Sequence, residues 1–206
     1  MPRLLVLTGV DLEARGLARH LGLDPAPGPA GSHFAGGSFE IVAVGVGAGQ
    51  LETRVSTVVA PALVVPEAVL GPDGQRRMTA AVGGARRHGT LLTTDRVLRD
   101  AAAKSRCWLQ TGALAVDMES AAILDWAAGR GWPGLVVRGV SDAAARGVPA
   151  DLARVVQDDG RVRPMRAISA MLARPGALAD AVALRAGTTA ALKTVAATLG
   201  TLSRAL

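Results

Sequence analysis

The order of apolar runs predicts an α/β fold, and three observations carry the prediction. Short buried-strand runs alternate with helical stretches from Leu4 onward. Residues 113–140 read strand, helix, strand as one crossover unit. From Arg163 to Leu206 the chain turns helical, with a break at Pro175-Gly176. The 206 residues make one domain of ordinary size, and half of them are apolar, enough to bury a sizeable core. Residues 1–206 are therefore read as a single domain with a C-terminal helical segment at about 163–206.

Leu4 to Leu7 is the first strand, and past Thr8-Gly9 a helix covers Asp11 to Leu21, with Leu12, Ala18 and Leu21 near helical spacing. Asp24 to Gly37 is rich in Pro and Gly and reads as a loop. Phe39 to Val46 is the second strand, ending in Gly45-Val46-Gly47. Ala62 to Leu70 is a third, broken by Pro66 as an edge or a bulge would be. Gly71 to Gly89 is polar and glycine-rich and takes no assignment. Thr90 to Thr94 reads as a short strand and Asp95 to Lys104 as a helix. Ala113 to Val116 is a strand that leads into a helix from Glu119 to Gly129, and Gly134 to Val140 is the clearest strand in the chain.

Near the end, Leu192, Val195, Leu199, Leu202 and Leu206 form a narrow apolar seam at spacings of three and four. The first reading is a helix packed on its own chain. A subunit contact and a membrane-surface helix are the alternatives.

Composition excludes several classes of function. All but two of the 23 basic residues are arginine, and the arginines are dispersed rather than gathered in a stripe, although the formal charge is +6. Nucleic-acid binding wants a clustered footprint, and base stacking wants aromatics; here there are five aromatics and no Tyr. Cys107 is alone, and His20, His33 and His88 have no ligand spacing, so no metal is expected. The apolar run Leu4 to Val10 meets Asp11 almost at once, which does not suit a signal peptide. No window approaches the ~18 uncharged apolar residues of a spanning helix. The expected compartment is the cytoplasm.

Ligands of open α/β sheets bind outside the carboxyl ends of strands, so acids there are site candidates. Two runs qualify: Val116-Asp117-Met118-Glu119-Ser120 and Val140-Ser141-Asp142. Each has a plainer alternative. Glu119 can be a first-turn acid favoured by the helix dipole, and Ser141-Asp142 can be a turn or a cap. Glu13, just past the first strand, is either a site acid or a solvated helix acid pairing with a nearby arginine. Gly45 to Gly49 can cradle an anion or simply turn.

Taken together, Val116-Asp117-Met118-Glu119-Ser120-Ala121-Ala122 and, about twenty residues on, Val137-Arg138-Gly139-Val140-Ser141-Asp142 resemble the purine nucleoside phosphorylase and methylthioadenosine/S-adenosylhomocysteine nucleosidase superfamily. Thr8-Gly9-Val10 with Glu13-Ala14-Arg15, the segment Val65 to Val69, and Leu92 to Val97 look closest to its hopanoid-biosynthesis-associated phosphorylases. The resemblance covers most of residues 3–170. It implies a three-layer α/β fold with a mixed central sheet.

The resemblance also implies an activity: cleavage of the N-glycosidic bond of an adenosyl nucleoside, with adenosylhopane as the branch's substrate. Asp142 would protonate the purine at N7, helped by Ser141, as an acid kept protonated near neutral pH. Glu119 would take both ribose hydroxyls, and Met118 would pack against the sugar. Glu13 would position or deprotonate an attacking water. Gly47 matches the glycine turn near the nucleophile, and Val97 stands where several nucleosidases carry a stacking aromatic.

Phosphorolysis and hydrolysis both stay open. No cofactor is implied, with inorganic phosphate a co-substrate in the first case. A homo-oligomer is implied, and a lipid-tailed substrate would give the C-terminal segment a role at a membrane surface. Between Gly47 and Val64 the family carries a helix, a central strand and a Gly-rich turn, and here Ala48 to Leu63 is too short for both elements. The sheet is thus expected to be shortened by one strand-helix unit. That makes a non-catalytic nucleoside-binding member of the same superfamily the rival reading.

Overall fold

The computed structural model describes residues 4–8, 11–27, 33–43, 63–82, 86–96, 98, 100–140 and 177–205. The chain is mixed α/β, as its alternation predicts. Its first sheet joins β1 (Leu4–Thr8), β2 (Asp24–Pro25), β3 (His33–Gly36) and β4 (Phe39–Ala43) in the order β1-β4-β3-β2. Here β1 runs parallel to β4, with Leu4 opposite Phe39 and Thr8 opposite Ala43, while β3 runs antiparallel to β4. Helix α1 (Asp11–Leu21) makes the connection after β1 and has the bounds its sequence predicts.

The stretch Asp24 to Gly37 is not a plain loop. Its ends pair as β2 and β3, and Gly37, at φ +54°, turns β3 into β4. Only glycine takes that backbone region at little cost.

The predicted strand Ala62 to Leu70 is two strands. β5 (Leu63–Val64) and β6 (Ala68–Leu70) lie in different ladders, with Pro66 between them. Pro66 has no N–H to continue a ladder, and its carbonyl instead accepts from Thr79 Oγ1 at 2.6 Å. Past β6 a tight turn leads to β7 (Arg76–Met78), so the unassigned Gly71 to Gly89 contains a hairpin partner. With β8 (Thr90–Thr93) and β9 (Ala115–Asp117) these strands form the order β7-β6-β8-β9, in which β6, β8 and β9 are parallel.

Helix α2 (Ala101–Thr111) starts later than predicted because Asp100 caps it, its carboxylate accepting from Ala103 N at 2.7 Å. Helix α3 (Ser120–Ala128) follows β9 within three residues. Of the predicted strand Gly134 to Val140, only β10 (Arg138–Gly139) pairs, and it pairs antiparallel with β5. The strand-helix-strand unit therefore does not close as a parallel crossover among the described residues. Apolar runs mark burial without fixing a partner.

Helix α4 (Ala177–Arg204) packs its seam inward. Leu192, Val195, Leu199 and Leu202 are buried against Ala14, Leu17 and Ala18 of α1 and Phe39 and Ile41 of β4. Those four residues face their own chain, not lipid or a second copy. A second core gathers Val69, Leu91, Ala121, Leu124 and Val136 beneath α3. Among the described residues no helix is long and apolar enough to cross a membrane. The predicted shortening after Gly47 lies outside the described residues.

Candidate active site

The chain passes from β9 to α3 through Asp117, Met118 and Glu119, and the first turn of the helix is satisfied by side chains of the strands. Asp117 Oδ1 accepts from Thr93 Oγ1 at 2.7 Å and from Ser120 N at 3.3 Å. Asp117 Oδ2 accepts from Ser120 Oγ and from Arg138 Nη2. Thr93 Oγ1 in turn accepts from Ala121 N at 3.0 Å. Two N–H groups that a helix start leaves orphaned are thereby met.

Glu119 occupies the N-cap position without capping: its side chain makes no hydrogen bond to the helix N–H groups. Asp117 and Thr93 do that work. The Glu119 carboxylate turns elsewhere, with Oε2 accepting from Met118 N at 3.3 Å and lying 3.6 Å from Arg138 Nη2. Both Glu119 and Arg138 are 1 % exposed. A buried carboxylate is expensive unless a cation and hydrogen bonds offset it, and Arg138 supplies the charge for Asp117 and Glu119 together. Glu119 stands at the helix N-terminus, where the dipole favours an acid, and it is buried there. Chemically, this is a fixed anion whose lone pairs suit a neighbouring pair of hydroxyl donors.

Glu13 lies in the first turn of α1 and is also buried. Arg15 pairs with Asp11 at 3.2 Å, and burial removes Glu13 from bulk solvent. Met118 and Glu119 share the β9–α3 junction, whereas Glu13 belongs to the first sheet's helix. Ser141, Asp142, Gly47 and Val97 lie outside the described residues.

Sequence reasoning assigned no role to Thr93 or to the Asp117–Arg138 pair. A signal was present: Arg138 interrupts the apolar run Val136 to Val140, and a charge inside a buried strand requires a partner. Among the described residues, no group of three or more His, Cys, Asp or Glu residues is placed to hold a metal.

A separate cavity of about 370 Å³ opens toward the other end of α3, lined in part by Arg77, Met78, Leu124, Asp125 and Trp132. No predicted site residue lines it, and its position argues against a part in chemistry at Glu119.

Comparison with known proteins agrees with the architecture. The Phosphorylase superfamily profile matches residues 76–174, a span that includes the β9–α3 junction and Arg138. No curated protein matches the chain. Among solved structures, the 5'-methylthioadenosine/S-adenosylhomocysteine nucleosidase of Helicobacter pylori is 14% identical at a TM-score of 0.65, covering 100% of this chain and 99% of its own. The futalosine hydrolase of Helicobacter pylori strain 26695 is 14% identical at 0.65, covering 100% and 98%. The Neisseria meningitidis 5'-methylthioadenosine/S-adenosylhomocysteine nucleosidase, in complex with methylthio-immucillin-A, is 14% identical at 0.64, covering 100% of both. The chain thus has the mixed α/β fold of these nucleosidases, and its segment 76–174 matches the Phosphorylase superfamily.

Proposed function

We propose that this protein cleaves the N-glycosidic bond of a purine nucleoside, with an adenosyl compound as substrate. The observation that carries the reading is Glu119. It is a buried carboxylate at the carboxyl end of a parallel strand, turned away from its own helix cap and fixed by Arg138 and Met118 N. It stands within the segment that matches the Phosphorylase superfamily. The shared fold with nucleosidases that bind nucleoside analogues supports it further.

In this reading Glu119 accepts the ribose hydroxyls, with Met118 against the sugar. Asp142, held by Ser141, protonates the leaving purine as a general acid, which lowers the barrier to departure of an otherwise poor leaving group. Glu13 activates water, and its burial suits a base kept out of bulk solvent. Gly47 and Val97 border the nucleophile and the base. No cofactor enters, and inorganic phosphate replaces water if the reaction is phosphorolysis. The finer proposal is adenosylhopane as substrate, handled by a cytoplasmic homo-oligomer.

The test is release of free adenine from adenosyl nucleosides, measured with and without phosphate. Release that Asp142→Asn abolishes supports the reading, and its phosphate dependence identifies the nucleophile. Binding without release under every condition overturns catalysis and leaves a nucleoside-binding protein.

A further inference from the structure

We propose that the cavity between β7 and the far end of α3 is a ligand site of its own, for a planar aromatic molecule that donates N–H groups and carries no negative charge. The inference goes beyond the glycosidic reaction, and the cavity shares no lining residue with the β9–α3 junction. Its volume is about 370 Å³, with walls from β7, α3 and the turn after α3. Sites for small ligands start at about 300 Å³ and pair an apolar lining with a few polar groups.

The apolar part is Met78, Leu124 and Trp132. Met78 is 68 % and Trp132 51 % exposed, so much of both side chains meets solvent. The Trp132 ring is nonetheless held. It stands edge-on to Trp126, with centroids 5.4 Å apart and planes at 80°, and the Arg130 guanidinium lies 4.1 Å over the Trp126 ring. An indole already fixed in place loses little freedom when a flat ring stacks on it.

The polar part is an acceptor. A guanidinium has five N–H donors, and Arg77 spends all five: Nε and Nη2 on Asp125, Nη1 and Nη2 on Asp73, and Nη1 on the Gln75 carbonyl. Thr79 Oγ1 donates to the Pro66 carbonyl at 2.6 Å. Asp125 differs. A carboxylate offers about four acceptor directions, and the two Arg77 bonds fill two of them, on a side chain that is 57 % exposed. An anion therefore finds no donor on this clamp, and it meets two carboxylates against one guanidinium. A ligand N–H finds Asp125, and a flat ring, neutral or cationic, finds the indole.

The experiment titrates benzamidine and benzoate, planar ions of the same shape and opposite charge, into the full chain. It follows the indole N–H resonances of Trp108, Trp126 and Trp132. Benzamidine is expected to shift Trp132 saturably at about millimolar concentration, the range for a ligand of this size, with Trp108 on α2 unmoved. Benzoate is expected to bind about tenfold more weakly or worse. Asp125→Asn should weaken benzamidine about tenfold, the scale of one hydrogen bond to a charged group. Trp132→Ala, followed through Trp126, should weaken it by a similar factor. Ala128→Phe, at an exposed helix position on the cavity wall, fills the space without touching the clamp and is expected to abolish binding. It carries the test if another variant fails to fold. Equal binding of the two probes, no saturable shift at Trp132, or benzamidine affinity unchanged in the folded variants overturns the proposal. None of these outcomes bears on adenine release, which tests the reaction at Glu119 separately.

Discussion

Arg77 grips Asp125 with two parallel hydrogen bonds, Nε to Oδ1 at 2.8 Å and Nη2 to Oδ2 at 2.7 Å. The same guanidinium holds Asp73 at 3.0 and 2.8 Å. One side chain of β7 thereby ties the β6–β7 turn to α3, and its charge is matched on both sides. The hydrogen bonds from Arg77, then that from Gln75 N, hold the Asp73 carboxyl at about 2, below its ordinary 3.8. Asp73 in turn, with Asp125, pushes the Arg77 guanidinium further up.

The clamp predicts an acid-dependent stability. A carboxyl with a depressed folded-state value contributes stability that is full above its unfolded value and is lost as pH falls through the folded one. Wild type should therefore lose part of its advantage over Asp73→Asn between about pH 4 and pH 2. Thermal melts of the two proteins across that range check it, and a constant gap between them contradicts the assignment. Asp73 is exposed, so the gap should be small and should shrink with added salt.

A second prediction concerns the approach of α1 to α4. A Cβ built on Gly16 would stand 2.5 Å from Leu192 Cδ1, closer than real side chains approach. Gly16→Val should destabilise the fold by about 1–3 kcal/mol through overpacking. Leu192→Ala should cost about 2–5 kcal/mol through the cavity it leaves. The double variant should fall short of the sum of the two, because the alanine vacates the space the valine needs. Denaturant midpoints of the three proteins decide it.

Asp100→Ala should weaken the start of α2. It removes the 2.7 Å bond to Ala103 N, and losing an N-cap acceptor costs about 1 kcal/mol. Amide exchange in the first turn of α2 should accelerate while that of α3 stays unchanged.

Glu119→Gln should reduce adenine release by roughly tenfold to a hundredfold, the scale of one hydrogen bond to a charged group. The amide keeps the shape of the side chain but gives up one acceptor oxygen and the charge. Its far-UV circular dichroism should match wild type. A variant that keeps full turnover would remove Glu119 from the site.

What the sequence could reveal follows from how local each feature is. Helix α1 was legible to the residue because its periodicity and its end signals lie within one short segment. The β9–α3 junction was legible because a strand run meets a helix run at Asp117 to Ser120. The hairpin of β3 with β4 was hidden in a stretch that Pro and Gly make look irregular, since pairing depends on Phe39 to Ala43 and not on local composition. The split at Pro66 was half visible: the proline announced a break, but only the partners of β5 and β6 show that it separates two ladders. The Asp117–Arg138 pair joins positions 21 residues apart, and periodicity carries no information about which buried charge answers another. Glu119 was found through motif and position, while the reason it does not cap its helix became plain only with Asp117 and Thr93 in place.

The seam of α4 has one consequence for how the polypeptide reaches this shape. Leu192, Val195 and Leu199 supply the lid of the core that Leu17, Ala18 and Ile41 begin. During synthesis those early apolar surfaces emerge long before the helix that shelters them. A nascent chain halted before Ala177 leaves them wet and adhesive, a target for chaperones.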